Sequence, residues 1–216
     1  MKRLEKRKRD FTRDPSLERL FIALQPPLEL RRELAKNNTI FAKEMRNFKF
    51  IEQEQLHLTL KFLGSEVSPD SKQQIIELLE RITPQLYSPV VKIQNLQYGF
   101  PKQMIASLLY YNIEANASMQ KLTSIIHEQL MNLELSDVKR EKDYKKIVYH
   151  LTIARSKHNN NRAYGRKIKE LIKEKAQPID KEFTAEKLYL LRSKLIKGSE
   201  PKYEILAQFS FNSNKD

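Results

Sequence analysis

The chain of 216 residues contains no cysteine. This absence excludes disulfide bonds, thiolate zinc sites and a cysteine nucleophile, and it is typical of intracellular proteins. No apolar run approaches the roughly 20 residues that a membrane-spanning helix needs, so we expect no membrane segment. The opening residues, MKRLEKRKRD, are charged rather than hydrophobic. We therefore expect no secretory signal peptide and a cytoplasmic location.

Acidic residues are too few to balance the basic ones, and the chain carries a net charge of +13. Seven Lys and Arg residues lie among the first thirteen positions, beside two acidic residues. We predict that residues 1–16 form a disordered basic tail and that residues 17–216 form a single bilobal domain. The excess of positive charge in the body favours a polyanionic partner such as RNA or DNA, although solubility alone explains it equally well.

The periodicity of apolar residues predicts an α+β fold with a mostly antiparallel sheet. Helices are predicted over 28–45, 68–86, 118–133 and 161–176. Strands are predicted over 20–24, 50–64, 90–100, 104–115, 144–156, 186–196 and 203–211. Each half of the chain has the same order: a helix, a strand, a helix and then two strands. This order indicates two related lobes with a pseudo-twofold axis, helices packed outside and a central cleft.

Two of the four histidines, His57 and His150, begin the same tetrad, His-Leu-Thr followed by Leu or Ile. Side chains alternate between the faces of a strand, so each histidine shares a face with the threonine two residues later, Thr59 or Thr152. We expect the two lobes to bring these imidazoles and hydroxyls together. Such a set suits transfer or cleavage of a phosphoester, with one histidine as a base and the other as an acid.

Other candidate residues are less clear from the sequence. Strict alternation places Lys61 on the His57 face, and it places Arg155 opposite the His150 face unless the strand bulges near Ala154. His127 is expected on a partly exposed helix face, and His158 in a polar loop. No HExxH or similar ligand spacing occurs, so we expect no metal site and no cofactor.

With these motifs the chain resembles the two-histidine (2H) phosphoesterase superfamily, and within it the RNA 2′,3′-cyclic phosphodiesterases, also called 2′-5′ RNA ligase-like proteins. The similar segments are RLFIAL, LHLTLKFLG, HLTIAR and the closing LYLLRSKL…PKYEILAQF, and the resemblance covers most of the chain from about Leu17 to the end. The resemblance implies a bilobal α+β fold with a central cleft. It also implies hydrolysis of a terminal 2′,3′-cyclic phosphate on RNA to a 2′-phosphate.

The resemblance assigns roles to individual residues. It implies that His57 is the proton donor to the leaving 3′-oxygen and that His150 is the proton acceptor that activates water. Thr59 and Thr152 would hold the phosphate, and Arg155 would add a charged contact to it. Many members of the family have proline before the second histidine, whereas this chain has Tyr149.

Two other functions fit the same residues. Joining of RNA ends through a 2′-5′ linkage is the reverse chemistry at the same two histidines, and a non-catalytic RNA-binding protein would need only the basic surface. For the leading function we expect RNA with a cyclic phosphate end as the partner, tRNA fragments among the candidates. We also expect a monomer.

Overall fold

The structure, a computed structural model, describes residues 14–100, 103, 106–139, 147–157, 161–176, 179–194 and 201–213. The predicted tail over residues 1–16 therefore lies outside the described residues, apart from residues 14–16. His158 also lies outside them. Among the described residues, no helix is long and apolar enough to cross a bilayer.

Four helices and nine strands make up the described fold, which confirms the α+β class. The helices are α1 (Leu28–Ala42), α2 (Pro69–Ile82), α3 (Ala117–Met131) and α4 (Arg162–Lys175). The strands are β1 (Glu18–Leu24), β2 (Phe48–Phe50), β3 (Leu58–Val67), β4 (Val90–Tyr98), β5 (Leu108–Ile113), β6 (His150–Ser156), β7 (Lys181–Thr184), β8 (Lys187–Lys194) and β9 (Lys202–Ser210). The short strands β2 and β7 were not predicted, because neither has the apolar run that marks a strand in the sequence.

Local sequence sets where the helices begin. The side chain of Ser68 accepts a hydrogen bond from the backbone N–H of Ser71 at the start of α2, where Pro69 occupies the first turn. Asn116 and Asn161 cap α3 and α4 in the same way. Each of these side chains satisfies one of the free N–H groups of a first helical turn.

All nine strands belong to one sheet, in the order β7-β4-β5-β6-β3-β1-β8-β9, with β2 pairing beside β6. The pairs that these strands form are all antiparallel. The first half-sheet contains β3, β1, β8 and β9, and the second contains β6, β5, β4 and β7. The predicted order is present in each half of the chain, since α1, β3, α2, β4 and β5 follow one another in the first half as α3, β6, α4, β8 and β9 do in the second, apart from the short strands β2 and β7.

Strands are exchanged between the halves of the sequence. The two strands that end the first half, β4 and β5, pair with each other, and β5 also pairs with β6 of the second half. Strand β8 of the second half returns to pair with β1. The two halves meet where Leu58 of β3 lies opposite Leu151 of β6. The predicted pseudo-twofold lobes thus share one continuous sheet, and the two tetrads lie at its centre.

The two faces of the sheet are packed differently. The main core lies between the helices and one face, and Leu20, Ile22 and Leu24 of β1 belong to it. The intervening Phe21 and Ala23 point to the other face, where they pack with Leu191 of β8 in a separate cluster that contains no helix residue among those described. We call this second face the open face of the sheet.

Candidate active site at the junction of the half-sheets

Both histidines lie where the two half-sheets join. His150 is the first residue of β6, and His57 directly precedes β3. Because Leu58 and Leu151 are opposite each other in antiparallel register, His57 lies across from Thr152 and Thr59 lies across from His150. The structure therefore brings together the two imidazoles and two hydroxyls that the sequence predicted. Thr152 is buried, whereas His57, Thr59 and His150 are partly exposed.

Each imidazole is held by the backbone in the same way. The Nδ1 atom of His57 lies 2.7 Å from the carbonyl oxygen of Gln55, and that of His150 lies 2.8 Å from the carbonyl oxygen of Val148. A carbonyl oxygen can only accept a hydrogen bond, so Nδ1 carries the proton in both rings. The Nε2 atom of each neutral imidazole is then the basic nitrogen that remains for a substrate.

Aromatic rings surround both histidines. The ring of Tyr203 lies edge-on to His57 at 4.4 Å between centroids, and Phe21 lies 5.0 Å away. Phe100 and Tyr110 contact His150 at 4.9 Å and 5.6 Å. These rings fix the orientation of the imidazoles and restrict the water around them. This burial is the main reason that the pKa of each histidine is lowered.

Both histidine pKa values are lowered in this site. Burial lowers the pKa of His57 to about 4, while the hydrogen bond to the Gln55 carbonyl opposes the shift and the charges of Arg155 and His150 add to it. Burial also lowers the pKa of His150, against the opposing hydrogen bond to Val148 and with a further lowering by Arg155. Both rings are thus neutral at pH 7 before substrate binds.

Arg155 belongs to the site because β6 bulges. Leu109 pairs with Ala154 whereas Tyr110 pairs with Thr152, so Ile153 is the extra residue. A bulge shifts the alternation by one, which turns Arg155 to the face of His150 and Thr152. The required irregularity is present one residue before the predicted Ala154. The Nη2 atom of Arg155 donates to the Tyr203 hydroxyl at 3.5 Å.

The corresponding bulge in β3 contradicts one expectation. Ile22 pairs with Lys61 whereas Ala23 pairs with Thr59, so Leu60 is the extra residue. Lys61 is consequently turned away from the His57 face and is 4% exposed. Phe62 takes the position that alternation gave to Lys61, and it packs into the cluster on the open face. The expectation that Lys61 faces the site was therefore wrong.

One further residue differs from the sequence expectations. His127 is 4% exposed on α3, so the expected partial exposure was wrong. Phe100 follows Gly99, whose φ of 73° favours glycine, and its ring contacts His150. Tyr203 was missed as a site residue, because only the closing of the sheet brings β9 next to His57.

Two pockets are lined by residues that contact the histidines. Gln55 and Tyr203, which contact His57, line a pocket of about 210 Å³ together with Lys49, Phe50, Ile51, Glu52, Arg155, Pro201 and Lys202. Phe100 and Tyr110, which contact His150, line a pocket of about 560 Å³ whose lining also includes Gln97, Asn112, Lys169 and Lys173. Within the described part of the chain, no three His, Asp or Glu side chains group together as metal ligands.

The sequence of this chain is similar to those of known proteins. The family model described as the AKAP7 2′5′ RNA ligase-like domain matches residues 22–211. An RNA 2′,3′-cyclic phosphodiesterase of Methanocaldococcus jannaschii is 33% identical over 193 residues, which cover 88% of this chain and 99% of that protein.

Solved structures share the fold. The TT0787 protein of Thermus thermophilus has a TM-score of 0.73 at 24% identity, and the match covers 90% of this chain and 98% of that one. LigT of E. coli, crystallised with 3′-AMP, has a TM-score of 0.61 at 16% identity, with 90% of this chain and 98% of its own covered. The predicted relationship and the phosphodiesterase class of enzyme are confirmed, and the chain belongs to the 2′5′ RNA ligase-like domain family.

Proposed function

We propose that this protein hydrolyses the 2′,3′-cyclic phosphate end of RNA to a 2′-phosphomonoester by two-histidine acid–base catalysis without a metal ion. The carrying observation is the matched pair of imidazoles, each held at Nδ1 by the carbonyl two residues earlier. This arrangement leaves two Nε2 atoms beside two threonine hydroxyls. The name of the relative from Methanocaldococcus jannaschii supports the choice of substrate.

In the proposed reaction, neutral His150 accepts a proton at Nε2 from a water molecule. The water oxygen forms a bond to phosphorus, and the bond from phosphorus to the 3′-oxygen breaks. Protonated His57 gives its Nε2 proton to that oxygen. The product carries the phosphate on the 2′-oxygen, and the protons balance because one histidine gains what the other loses.

His57 must be protonated for this step, although its pKa is about 4 in the free protein. An anionic phosphodiester beside the ring favours the imidazolium and raises that pKa. Substrate binding therefore stabilises the protonated ring of His57, which can then act as the acid. His150, whose partner is a neutral water, remains the base.

The remaining groups bind the charge that develops on the phosphate. The hydroxyls of Thr59 and Thr152 can donate to its non-bridging oxygens. The Nε–H of Arg155 is buried without a hydrogen-bond partner among the described residues. A buried N–H of this kind is costly to leave unpaired, and a bound phosphate would satisfy it.

End-labelled RNA bearing a 2′,3′-cyclic phosphate, incubated with the protein in EDTA, tests this function. We expect a 2′-monophosphate end. His57→Ala and His150→Ala should each lower the turnover by roughly 10²–10⁴-fold while RNA binding is kept. Lys121→Gln, an exposed change on α3, is the matched control. Activity of the double alanine variant equal to that of the parent would exclude the mechanism.

Two other outcomes identify the alternatives. Joining of the cyclic end to an added 5′-hydroxyl RNA, in preference to hydrolysis, would show a ligase at the same histidines. RNA binding without turnover of any cyclic phosphate, unchanged in both alanine variants, would show a non-catalytic RNA-binding protein.

A further inference from the structure

The side chain of Gln55 is bonded to the backbone of a strand at the far edge of the first half-sheet. Its Nε2 donates to the carbonyl oxygen of Tyr203 at 3.2 Å, and its Oε1 accepts from the backbone N–H of Tyr203 at 2.7 Å. Gln55 ends a short 3₁₀ turn (Gln53–Gln55), whereas Tyr203 belongs to β9. One side-chain amide thus pairs with both polar backbone groups of one residue, as a neighbouring strand would. We call these two hydrogen bonds the Gln55 clamp.

The Gln55 clamp shows how strongly the first half-sheet curls. Its strands lie in the order β3-β1-β8-β9, so a flat sheet would hold β3 and β9 three strand spacings, about 14 Å, apart. Gln55 lies only three residues before β3 and still bonds directly to β9. Strand β9 is at the end of the order, and no described strand pairs with its outer edge. The amide of Gln55 therefore takes the place of a further strand at Tyr203 and holds this edge against the candidate site.

The turn that carries Gln55 is itself held in place. Leu56 is 0% exposed in the core, and the backbone N–H of Gln55 donates to the carbonyl oxygen of Glu52 at 2.9 Å. The carbonyl oxygen of Gln55 is the one that accepts from Nδ1 of His57. Gln55 therefore holds His57 with its main chain and Tyr203 with its side chain.

Tyr203 connects the Gln55 clamp to two groups of the site. Its ring lies edge-on to the imidazole of His57 at 4.4 Å, and its hydroxyl accepts from Nη2 of Arg155 at 3.5 Å. Phe21 supports the same ring from β1 at 5.4 Å between centroids. Both contacts depend on the position of β9 at Tyr203. Loss of the clamp would let water reach His57 and would take the hydroxyl away from Arg155.

We propose that Gln55 is a positioning residue for the reaction: its side chain holds Tyr203 so that the ring orients His57 and the hydroxyl orients Arg155. This proposal rests on the proposed function, because His57 as the acid and Arg155 as a phosphate ligand are the groups that are positioned. Gln55 acts through Tyr203. A substitution at position 55 keeps the main-chain carbonyl that holds Nδ1 of His57, so it tests the side chain alone.

Titration of His57 followed by NMR tests the Gln55 clamp in the free protein. Gln55→Leu keeps the approximate size of the side chain and removes both hydrogen bonds. Burial is the main reason that the pKa of His57 is about 4. The other titratable groups that face this ring among the described residues are Tyr203 of β9 and, on β6, His150 and Arg155. We expect the midpoint of His57 in Gln55→Leu to rise by about one pH unit or more, because water gains access to the ring. The midpoint of His150 should stay at its parental value, and an unchanged midpoint of His57 would overturn the proposal.

Two further variants show whether Gln55 acts through Tyr203. Gln53→Leu is the matched control, since Gln53 lies in the same turn and its side chain bonds only to exposed Glu54 among the described residues. It should leave the midpoint of His57 and kcat unchanged. Tyr203→Ala removes the ring and should raise the midpoint as Gln55→Leu does. The double variant should show no further rise, because both changes remove the same contact, whereas additive shifts would mean that Gln55 does not act through Tyr203.

Steady-state kinetics on RNA with a 2′,3′-cyclic phosphate end measure the consequence for the reaction. Gln55→Leu should lower kcat roughly 10- to 100-fold with a much smaller change in KM, as expected when catalytic groups lose their alignment. A kcat within about twofold of the parent would overturn the proposal. An equal loss of kcat in Gln53→Leu would overturn it as well, because the effect would then belong to the turn and not to the clamp.

Hydrogen exchange of the parent protein provides a measurement that needs no variant. An outward N–H of an edge strand exchanges freely, whereas the N–H of Tyr203 should be protected by its bond to Gln55. An unprotected N–H would overturn the proposal even if Gln55→Leu does not fold. If the parent hydrolyses no cyclic phosphate, the proposed function fails. The NMR titration and the hydrogen exchange then decide whether Gln55 holds Tyr203 against His57.

Discussion

Leu58 lies directly opposite Leu151, and this pair joins the two half-sheets within the described part of the chain. Both side chains belong to the core beneath the helices, where each is 1% exposed. Since neighbouring residues of a strand point to opposite faces, burying these leucines turns the flanking His and Thr residues to the open face. Burial of the leucine in each tetrad thus determines that the histidine and the threonine of that tetrad point to the open face.

The lowered pKa values of the two histidines predict how kcat and kcat/KM depend on pH. Both pKa values are lowered in the free protein, His57 to about 4. The profile of kcat/KM reports the free enzyme, so we expect a bell with its maximum below pH 6.5. The profile of kcat reports the complex, in which the phosphate anion raises the imidazolium pKa, so its alkaline limb should lie at higher pH.

Initial rates measured from pH 4 to 9, at low and at saturating substrate, give both profiles. Their limbs belong to the coupled pair of histidines rather than to either one. His150→Ala should remove the acidic limb from the activity that remains. Profiles of kcat and kcat/KM that coincide would contradict the idea that substrate charges His57.

The burial of neutral His57 should also destabilise the protein in acid. The folded-state pKa of about 4 lies below the unfolded value of 6.5, so the unfolded chain binds more protons between these values. Stability should therefore fall as the pH decreases from 6.5 towards 4, by on the order of 2 kcal/mol. Urea unfolding at several pH values measures it, and His57→Gln should show a smaller decrease. An equal decrease in both proteins would assign the effect to other groups.

Arg155 should affect both the rate and the position of the pH profile. Arg155→Gln removes the proposed contact to the phosphate and should lower kcat/KM roughly 10- to 100-fold. The charge of Arg155 lowers the pKa of both histidines, so its removal should move the profile of kcat/KM to higher pH. Arg155→Lys keeps the charge and should keep the position of the profile while it loses rate. A lower rate with an unmoved profile in Arg155→Gln would indicate a purely structural role.

The sequence predicts which side chains face the candidate site as long as they alternate regularly between the two faces of a strand. The structure places His57, Thr59, His150 and Thr152 on one face of the sheet, because each lies before the bulge of its strand, and their catalytic and binding roles stay predictions. Lys61 was misplaced, because a bulge depends on how the partner strand pairs and not on a local pattern. The bulge at Leu60 is visible only through the register of β1 against β3.

The pairing of strands that are distant in the sequence could not be predicted for the same reason. The helices and long strands carry their own apolar periodicity, whereas the pairing of β5 with β6 and of β8 with β1 crosses between the two halves of the chain. Tyr203 reaches His57 only through that exchange, since β9 pairs with β8. The duplication was readable from the two tetrads, but the shared sheet was not.

Tyr149, where many members of the family have proline, offers a test of how β6 is anchored. Its hydroxyl donates to Oγ1 of Thr123 in α3 at 2.8 Å, and its carbonyl accepts from the N–H of Ile113 at 3.0 Å. The ring is 4% exposed. Because the ring lies on the helix side of the sheet, we expect it to contribute to stability and not to the chemistry at His150.

Tyr149→Phe should therefore lower the free energy of unfolding by about 1 kcal/mol and leave kcat/KM within about twofold of the parent. Tyr149→Pro would keep the carbonyl but lose the buried ring, at a cost of roughly 3 kcal/mol or more from the cavity. Urea unfolding and initial rates on one cyclic-phosphate substrate measure both effects. A large loss of kcat/KM in Tyr149→Phe at unchanged stability would mean that this hydroxyl positions His150, and the division between the two faces of β6 would then be wrong.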